Sequence, residues 1–126
     1  MPQNALLAGL LLCKSCQRPM IPTCTAKRGR RYRYYVCKTV RQKGWSACPT
    51  KSVQARMIED AVVLQLRTAL CAPETRERLN VSEADWQAFD QGDRGLVRAL
   101  VTKVSFDGTT GAVSLSLRGT EASHEN

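Results

Sequence analysis

Six cysteines mark the 126-residue chain, and four of them have the spacing of a metal site: Cys13-x-x-Cys16, twenty residues to Cys37, then ten to Cys48. A C-x2-C turn brings two thiolates to one tetrahedral Zn²⁺, and a gap near twenty residues suits a β-hairpin that returns a third. The last gap departs from a second C-x2-C, so Cys24 competes for the fourth position. Hairpin geometry argues against it. A turn near Gly29 sets residue 37 opposite roughly residue 19, which leaves Cys24 about 17 Å along the strand at ~3.3 Å per residue. The expected ligands are Cys13, Cys16, Cys37 and Cys48, four thiolates around one structural Zn²⁺, since a catalytic zinc keeps a water position open. The plain alternative is four buried or free thiols. Cys24 and Cys71 read as small hydrophobes.

The second chemical signal is charge. Through Ile58 the chain has twelve basic residues and no acid, and from Glu59 onward seven basic residues face eleven acidic ones. The overall charge of +8 therefore belongs to the cysteine-bearing half. Eight basic residues, Lys27, Arg28, Arg30, Arg31, Arg33, Lys38, Arg41 and Lys43, are interleaved with Tyr32, Tyr34 and Tyr35. A strand would present Arg31 and Arg33 together, which suits phosphates along a nucleic-acid backbone. Six phosphate contacts would give log K against log salt a slope of about −5 on duplex DNA. Tyr32 and Tyr34 are expected to pack over the metal knuckle. The bland reading of such a run is a solvated face.

These side chains need elements to hold them. Residues 5–12 read as a strand leading into the first knuckle, and 19–26 and 30–37 as a hairpin around Lys27-Arg28-Gly29. On 30–37, Tyr32, Tyr34 and Val36 share one face, and Arg31, Arg33 and Tyr35 the other. Gly44 and Trp45 fall in a loop before Cys48-Pro49. Ser52 is an expected N-cap for a helix carrying Ile58, Ala61, Val62, Leu66, Ala69 and Leu70, with Cys71 in that helix and Pro73 stopping it. Ser82, with Asp85 three residues on, starts a second helix that buries Trp86 and Phe89 and ends at Gly92. Leu96, Val97 and Leu100 mark a short third helix. Val104 and Phe106, a turn over 107–111, then Val113, Leu115 and Leu117 form a closing hairpin, and the tail after Arg118 reads as frayed. The fold class is α+β: a zinc β-ribbon over 1–51, then two or three short helices and a C-terminal β-hairpin over 52–126.

No apolar run approaches the ~18 residues of a membrane span. The apolar stretch before Cys13 has no preceding Lys or Arg, and Leu12 is a poor processing residue, so an export signal is not expected. That implies a reducing, cytoplasmic compartment, where clustered cysteines more often hold metal than form disulfides.

Residues 6–53 resemble the recombinase zinc β-ribbon of large serine recombinases. The likeness rests on Leu6-Leu7-Ala8-Gly9-Leu10-Leu11-Leu12-Cys13-x-x-Cys16, Arg18-Pro19-Met20, Gly29 through Cys37, and Gly44-Trp45-x-x-Cys48-Pro49. It supports the long last gap, since the family's fourth cysteine also follows a loop. The helix 53–70 and the hairpin 101–118, with Phe106-Asp107-Gly108, resemble the following segment more weakly. The resemblance implies binding to half of an attachment site in duplex DNA, with the ribbon in the major groove and recombinase subunits as further partners. Lys14 and Gln17 stand where the family often has glycine.

The family's serine-nucleophile domain would precede Met1, and nothing here matches it. The coiled-coil insertion some relatives use for synapsis is missing too. The expectation is a non-catalytic DNA-binding module, either a recombinase piece or free-standing, that associates with the bacterial nucleoid when DNA-bound. The only histidine, His124, lies in the tail, so Cys–His and Ser–His–Asp catalysis lack a base. No phosphate-binding glycine loop or small-molecule site is indicated. A protein-interaction ribbon that uses the helix Ile58 to Leu70, and an RNA-binding ribbon, are the alternatives.

Overall fold

The computed structural model describes residues 5–118. Its elements in order are β1 (Leu11–Cys13), β2 (Met20–Lys27), β3 (Arg30–Cys37), α1 (Lys38–Lys43), β4 (Ser52–Gln54), α2 (Ala55–Leu70), α3 (Pro73–Arg78), α4 (Glu83–Asp90), α5 (Gly95–Leu100), β5 (Val101–Asp107) and β6 (Ala112–Leu117). They form two three-stranded sheets, ordered β2-β3-β4 and β1-β5-β6. The α+β class and the closing hairpin are as expected. Among the described residues no helix is long and apolar enough to cross a membrane. The expected frayed tail and His124 lie outside the described residues.

The β2–β3 hairpin is antiparallel from Lys27↔Arg30 to Met20↔Cys37. Its two-residue turn has Arg28 at φ 53 and Gly29 at φ 78, the left-handed pair whose twist matches the flanking strands. Residue 37 thus faces 20 rather than 19, and Cys24 pairs with Arg33, far from the knuckle as the register argument required.

The N-terminal stretch differs from expectation. Only residues 11–13 are extended; before them the chain makes a helical turn closed by Leu11 N–H to Leu7 O at 3.1 Å, with Gly9 at φ 79. Leu7 and Leu11, four apart, are both fully buried. An unbroken apolar run carries no period, and here the turn wins because it buries that pair. The short strand pairs in parallel with β5, Leu11↔Val104 through Cys13↔Phe106, so the first knuckle is anchored to the C-terminal hairpin.

Ser52 is no N-cap. It belongs to β4, which pairs Tyr34, Tyr35 and Val36 with Gln54, Val53 and Ser52, and α2 begins three residues later behind Gln54, without a side-chain cap. Cys71 lies just beyond the helix and is exposed, as is Cys24, so neither is a buried hydrophobe. Pro73 ends one helix and opens the next, since its missing N–H costs nothing at a first helical position. The Ser82 cap is as read: its Oγ accepts the Asp85 N–H at 3.1 Å. Phe89 is buried behind it, while Trp86 is only partly covered and lies under the Arg76 guanidinium.

Tyr35, not Tyr32 or Tyr34, is the tyrosine that packs inward. It is fully buried, whereas Tyr32 is 40% exposed. Tyr35 shares its face with Cys37, so a strand that turns Cys37 inward turns Tyr35 inward as well. Its hydroxyl accepts the Leu7 N–H at 3.0 Å and donates to Glu59 Oε2 at 2.7 Å. Glu59 is 3% exposed and also takes Arg33 at 2.7 Å, with Arg94 at 4.0 Å. One carboxylate therefore joins the N-terminal turn, β3, α2 and the loop before α5. Burial, ahead of the hydrogen bond to Glu59, pushes the Tyr35 phenol well above its ordinary range.

Tyr35→Phe should cost about 1–3 kcal/mol by leaving the Leu7 N–H and part of Glu59 unsatisfied. Urea denaturation from pH 7 to 11 checks it. Because the folded state holds the phenolic proton more tightly, Tyr35's contribution is complete below pH ~10 and drains above it, so the gap between wild type and variant should close there. Arg33→Ala, which takes the closest cation from the buried Glu59 carboxylate, should cost more, on the order of 3–5 kcal/mol.

Candidate metal centre and basic hairpin

Cys13 ends β1, Cys16 follows one turn later, Cys37 ends β3, and Cys48 follows a 3₁₀ turn over Trp45–Ala47. The four sulfurs lie within 4.8 Å of one another, with Cys13–Cys48 at 3.5 Å and Cys16–Cys37 at 3.2 Å. Tetrahedral Zn–S bonds of ~2.3 Å place sulfurs roughly 3.8 Å apart, so the cluster has the size of one four-coordinate ion. Cys13, Cys37 and Cys48 are buried and Cys16 partly so. The expected ligand set is thus brought together in full.

Each knuckle is built by backbone closure. Cys13 N–H bonds Arg18 O at 2.8 Å, and Gln17 N–H bonds Cys13 O at 2.8 Å. Gln17 has φ 60, the conformation that favours glycine, which is why glycine suits this place. Here the Gln17 amide steadies the turn by donating to Lys14 O at 2.9 Å. On the other side, Cys37 N–H bonds Lys51 O at 2.9 Å and Lys38 N–H bonds Pro19 O at 3.0 Å. The helix α1, absent from the sequence reading, fills the gap between Cys37 and Cys48, burying Val40.

The C-terminal hairpin clamps this end. Thr50 Oγ1 sits 2.7 Å from Ser15 Oγ and accepts the Gly108 N–H at 3.0 Å. A Cβ on Gly108 would lie 2.8 Å from Thr50 Cα, so only glycine permits the approach.

The thiols are tuned unequally. Burial pushes Cys13 up to about 12 and raises Cys37. At Cys16 burial also acts upward, but hydrogen bonds from the Thr39 hydroxyl, Cys37 and the Arg18 backbone outweigh it and bring the thiol down to about 7. Buried thiols pressed together without a cation are costly as thiolates, whereas a divalent ion holds all four deprotonated. The donor set fits a closed, structural ion.

The basic residues divide in space. Lys27, Arg28, Arg30 and Arg31 surround the exposed hairpin tip, while Lys38, Arg41 and Lys43 lie on α1 at the knuckle end. The eight residues of β3 set the two groups about 24 Å apart at ~3.4 Å per residue. Arg31 and Arg33 do share a cleft of about 560 Å³ against the start of α2, but Glu59 and Asp60 line it as well. The hydrogen bond to Glu59 raises the Arg33 pKa and occupies its guanidinium. Glu59 itself was missed by sequence reasoning; its only signal was its place as the first acid after a long basic stretch.

Residues 6–67 match the family described as the recombinase zinc beta ribbon domain. The chain carries that domain. No curated protein matches the chain. Two solved structures share its fold. One comes from work on the sequence requirements of the Listeria innocua prophage attP site: TM-score 0.56, 20% identity, 92% of this chain and 44% of that one. The other is a crystal structure of an LSR–DNA complex, with a TM-score of 0.62, 15% identity and coverage of 99% of this chain and 59% of that one. The chain spans about half the length of these structures, and the likeness extends past the ribbon through the C-terminal hairpin.

Cys37→Ser should lose the metal and unfold the ribbon, whereas Cys24→Ser and Cys71→Ser should keep one equivalent per chain. Metal release monitored with a chromogenic chelator, beside circular dichroism, checks this. Full metal retention by the Cys37 variant would remove that residue from the site.

Proposed function

We propose that this chain is a zinc-dependent duplex-DNA-binding module of the serine-recombinase type, acting at an attachment-like site. The observation that carries the proposal is the exposed hairpin tip, a two-stranded basic ribbon projecting from a four-cysteine knuckle. The B-DNA major groove admits such a ribbon. The bound zinc supplies folding rather than chemistry, since four thiolates leave no position for water or substrate. Lys27, Arg28, Arg30 and Arg31 hold phosphates at the tip, with an arginine on guanine as the favoured base contact. Lys38, Arg41 and Lys43 act at the other end. Arg33 stands apart because Glu59 already binds it, and it positions β3. The solved LSR–DNA complex with this fold supports DNA as the partner.

The recombinase ribbon is a non-catalytic region, so strand cleavage would belong to a different domain and recombinase subunits would be the protein partners. A second reading, self-association through α2, is favoured by Met57 and Leu64, seven residues apart and 62% and 64% exposed. Sedimentation without DNA separates the two.

Zinc-loaded protein should bind random-sequence duplex, and chelator-stripped protein should not. Fluorescence anisotropy at several salt concentrations reads both. Arg30→Ala with Arg31→Ala should weaken binding and flatten the salt slope by about 1.8, at ~0.9 per lost phosphate contact. Unchanged affinity in that double variant would remove the hairpin from the interface, and preference for RNA in competition would redirect the partner.

A further inference from the structure

Trp45 is 61% exposed, in a protein whose other tryptophan packs against Phe89 and Arg76. A flat ring of that size left in water is a common mark of a binding surface. Its backbone is fixed. Gly44 N–H bonds Val40 O at 2.9 Å, Gly44 takes φ 108, and Ala47 N–H bonds Gly44 O at 3.1 Å. The Lys51 ammonium donates to Trp45 O at 2.7 Å and to Cys48 O at 3.4 Å, and lies 5.3 Å from the indole centroid. The loop carrying the ring is thus ordered before any partner arrives, which lowers the entropic cost of binding.

The charge around it is of one sign. Arg41 and Lys43 precede Trp45 and are exposed. No acid precedes Glu59 in the sequence, and Glu59 and Asp60 are committed to Arg33 and Arg94. Asp107, which the C-terminal hairpin brings toward the knuckle, faces Lys14 and is held by the Thr109 hydroxyl and N–H. The core of a protein–protein interface is depleted of charged side chains, lysine among them. Cations around one exposed ring match instead a backbone on which apolar sugars alternate with phosphates.

We propose that the knuckle end is a second duplex-DNA contact, in which Trp45 packs on a deoxyribose face while Arg41 and Lys43 hold the flanking phosphates. This rests on the DNA-binding reading above and extends it to a surface the hairpin does not reach. The ~24 Å between the two basic groups corresponds to about seven base pairs of B-DNA.

The test uses zinc-loaded full-length protein with Trp86→Phe, so that Trp45 is the only indole, and a fluorescein-labelled random-sequence duplex. Anisotropy reports binding, and tryptophan emission reports the ring. Emission should change in step with anisotropy. Trp45→Ala should weaken binding at least about fivefold, on the scale of aromatic stacking on nucleic acid, with the salt slope and zinc content unchanged. Trp45→Phe should recover most of the loss. Arg41→Ala with Lys43→Ala should instead flatten the slope by about 1.8. Saturation of the duplex with unmoved emission and undiminished affinity in Trp45→Ala would overturn the second contact and leave the hairpin reading standing. Loss of zinc from Trp45→Ala would make the ring structural and overturn it as well. Absence of any duplex binding by the parent protein would overturn both.

Discussion

A carboxylate buried in a protein must be matched by donors or it unfolds what surrounds it. Glu59 is the case in this molecule. Its two oxygens take the Arg33 guanidinium and the Tyr35 hydroxyl, and Tyr35 in turn receives the Leu7 N–H. These contacts fix where β3 lies across α2 and where the N-terminal turn closes over both. The turn leads directly into β1 and Cys13, so the position of the first cysteine of the cluster depends on a hydrogen-bond chain that ends at Glu59. Among the described residues no buried side-chain polar atom lacks a partner, so the network is complete and not a source of strain.

The four-cysteine cluster bears on a different problem. The ribbon is thin: from Cys24 to Arg33 both strands are exposed, and only Met20, Tyr35, Cys37 and neighbouring side chains reach the core. A structural zinc contributes an apparent ~10–16 kcal/mol in small finger peptides, enough to hold a hairpin with so little apolar cover. The thiol energetics point the same way, since desolvation makes Cys13 and Cys37 poor thiolates without a cation beside them. Packing of the C-terminal hairpin through Gly108 and Thr50 then joins knuckle and helices into one continuous core.

How much of this was legible depended on whether the cause was local. The β2–β3 hairpin was readable because alternation and a two-residue turn both sit within it. The Ser82 cap was readable because donor and acceptor are three residues apart. The four-cysteine cluster was readable from spacing and one register argument. Residues 5–12 were not, since an apolar run lacks a period and the deciding fact was the burial of Leu7 under Tyr35. Neither was β4: three residues form a strand only because β3 offers them an edge. Glu59 was visible only as the end of the basic stretch, because its partners are 24 and 26 residues away.

The basic run shows most clearly what a linear reading loses. In sequence it is one patch; in the fold, β3 is a rod that carries four of its charges to the hairpin tip and leaves three at the knuckle. Arg33, between them, turns toward α2 and is neutralised. A single patch would bind a polyanion in any orientation, as a local concentration of charge. Two patches at the ends of a β-ribbon set a spacing, and a polyanion with its own rise per residue would satisfy both in fewer orientations than it would a single patch. Spacing of charge would then add a choice of angle to nonspecific attraction. The four-cysteine cluster sits at the ribbon's base, where an ion held by all four thiolates would tie the knuckle to the start of both strands.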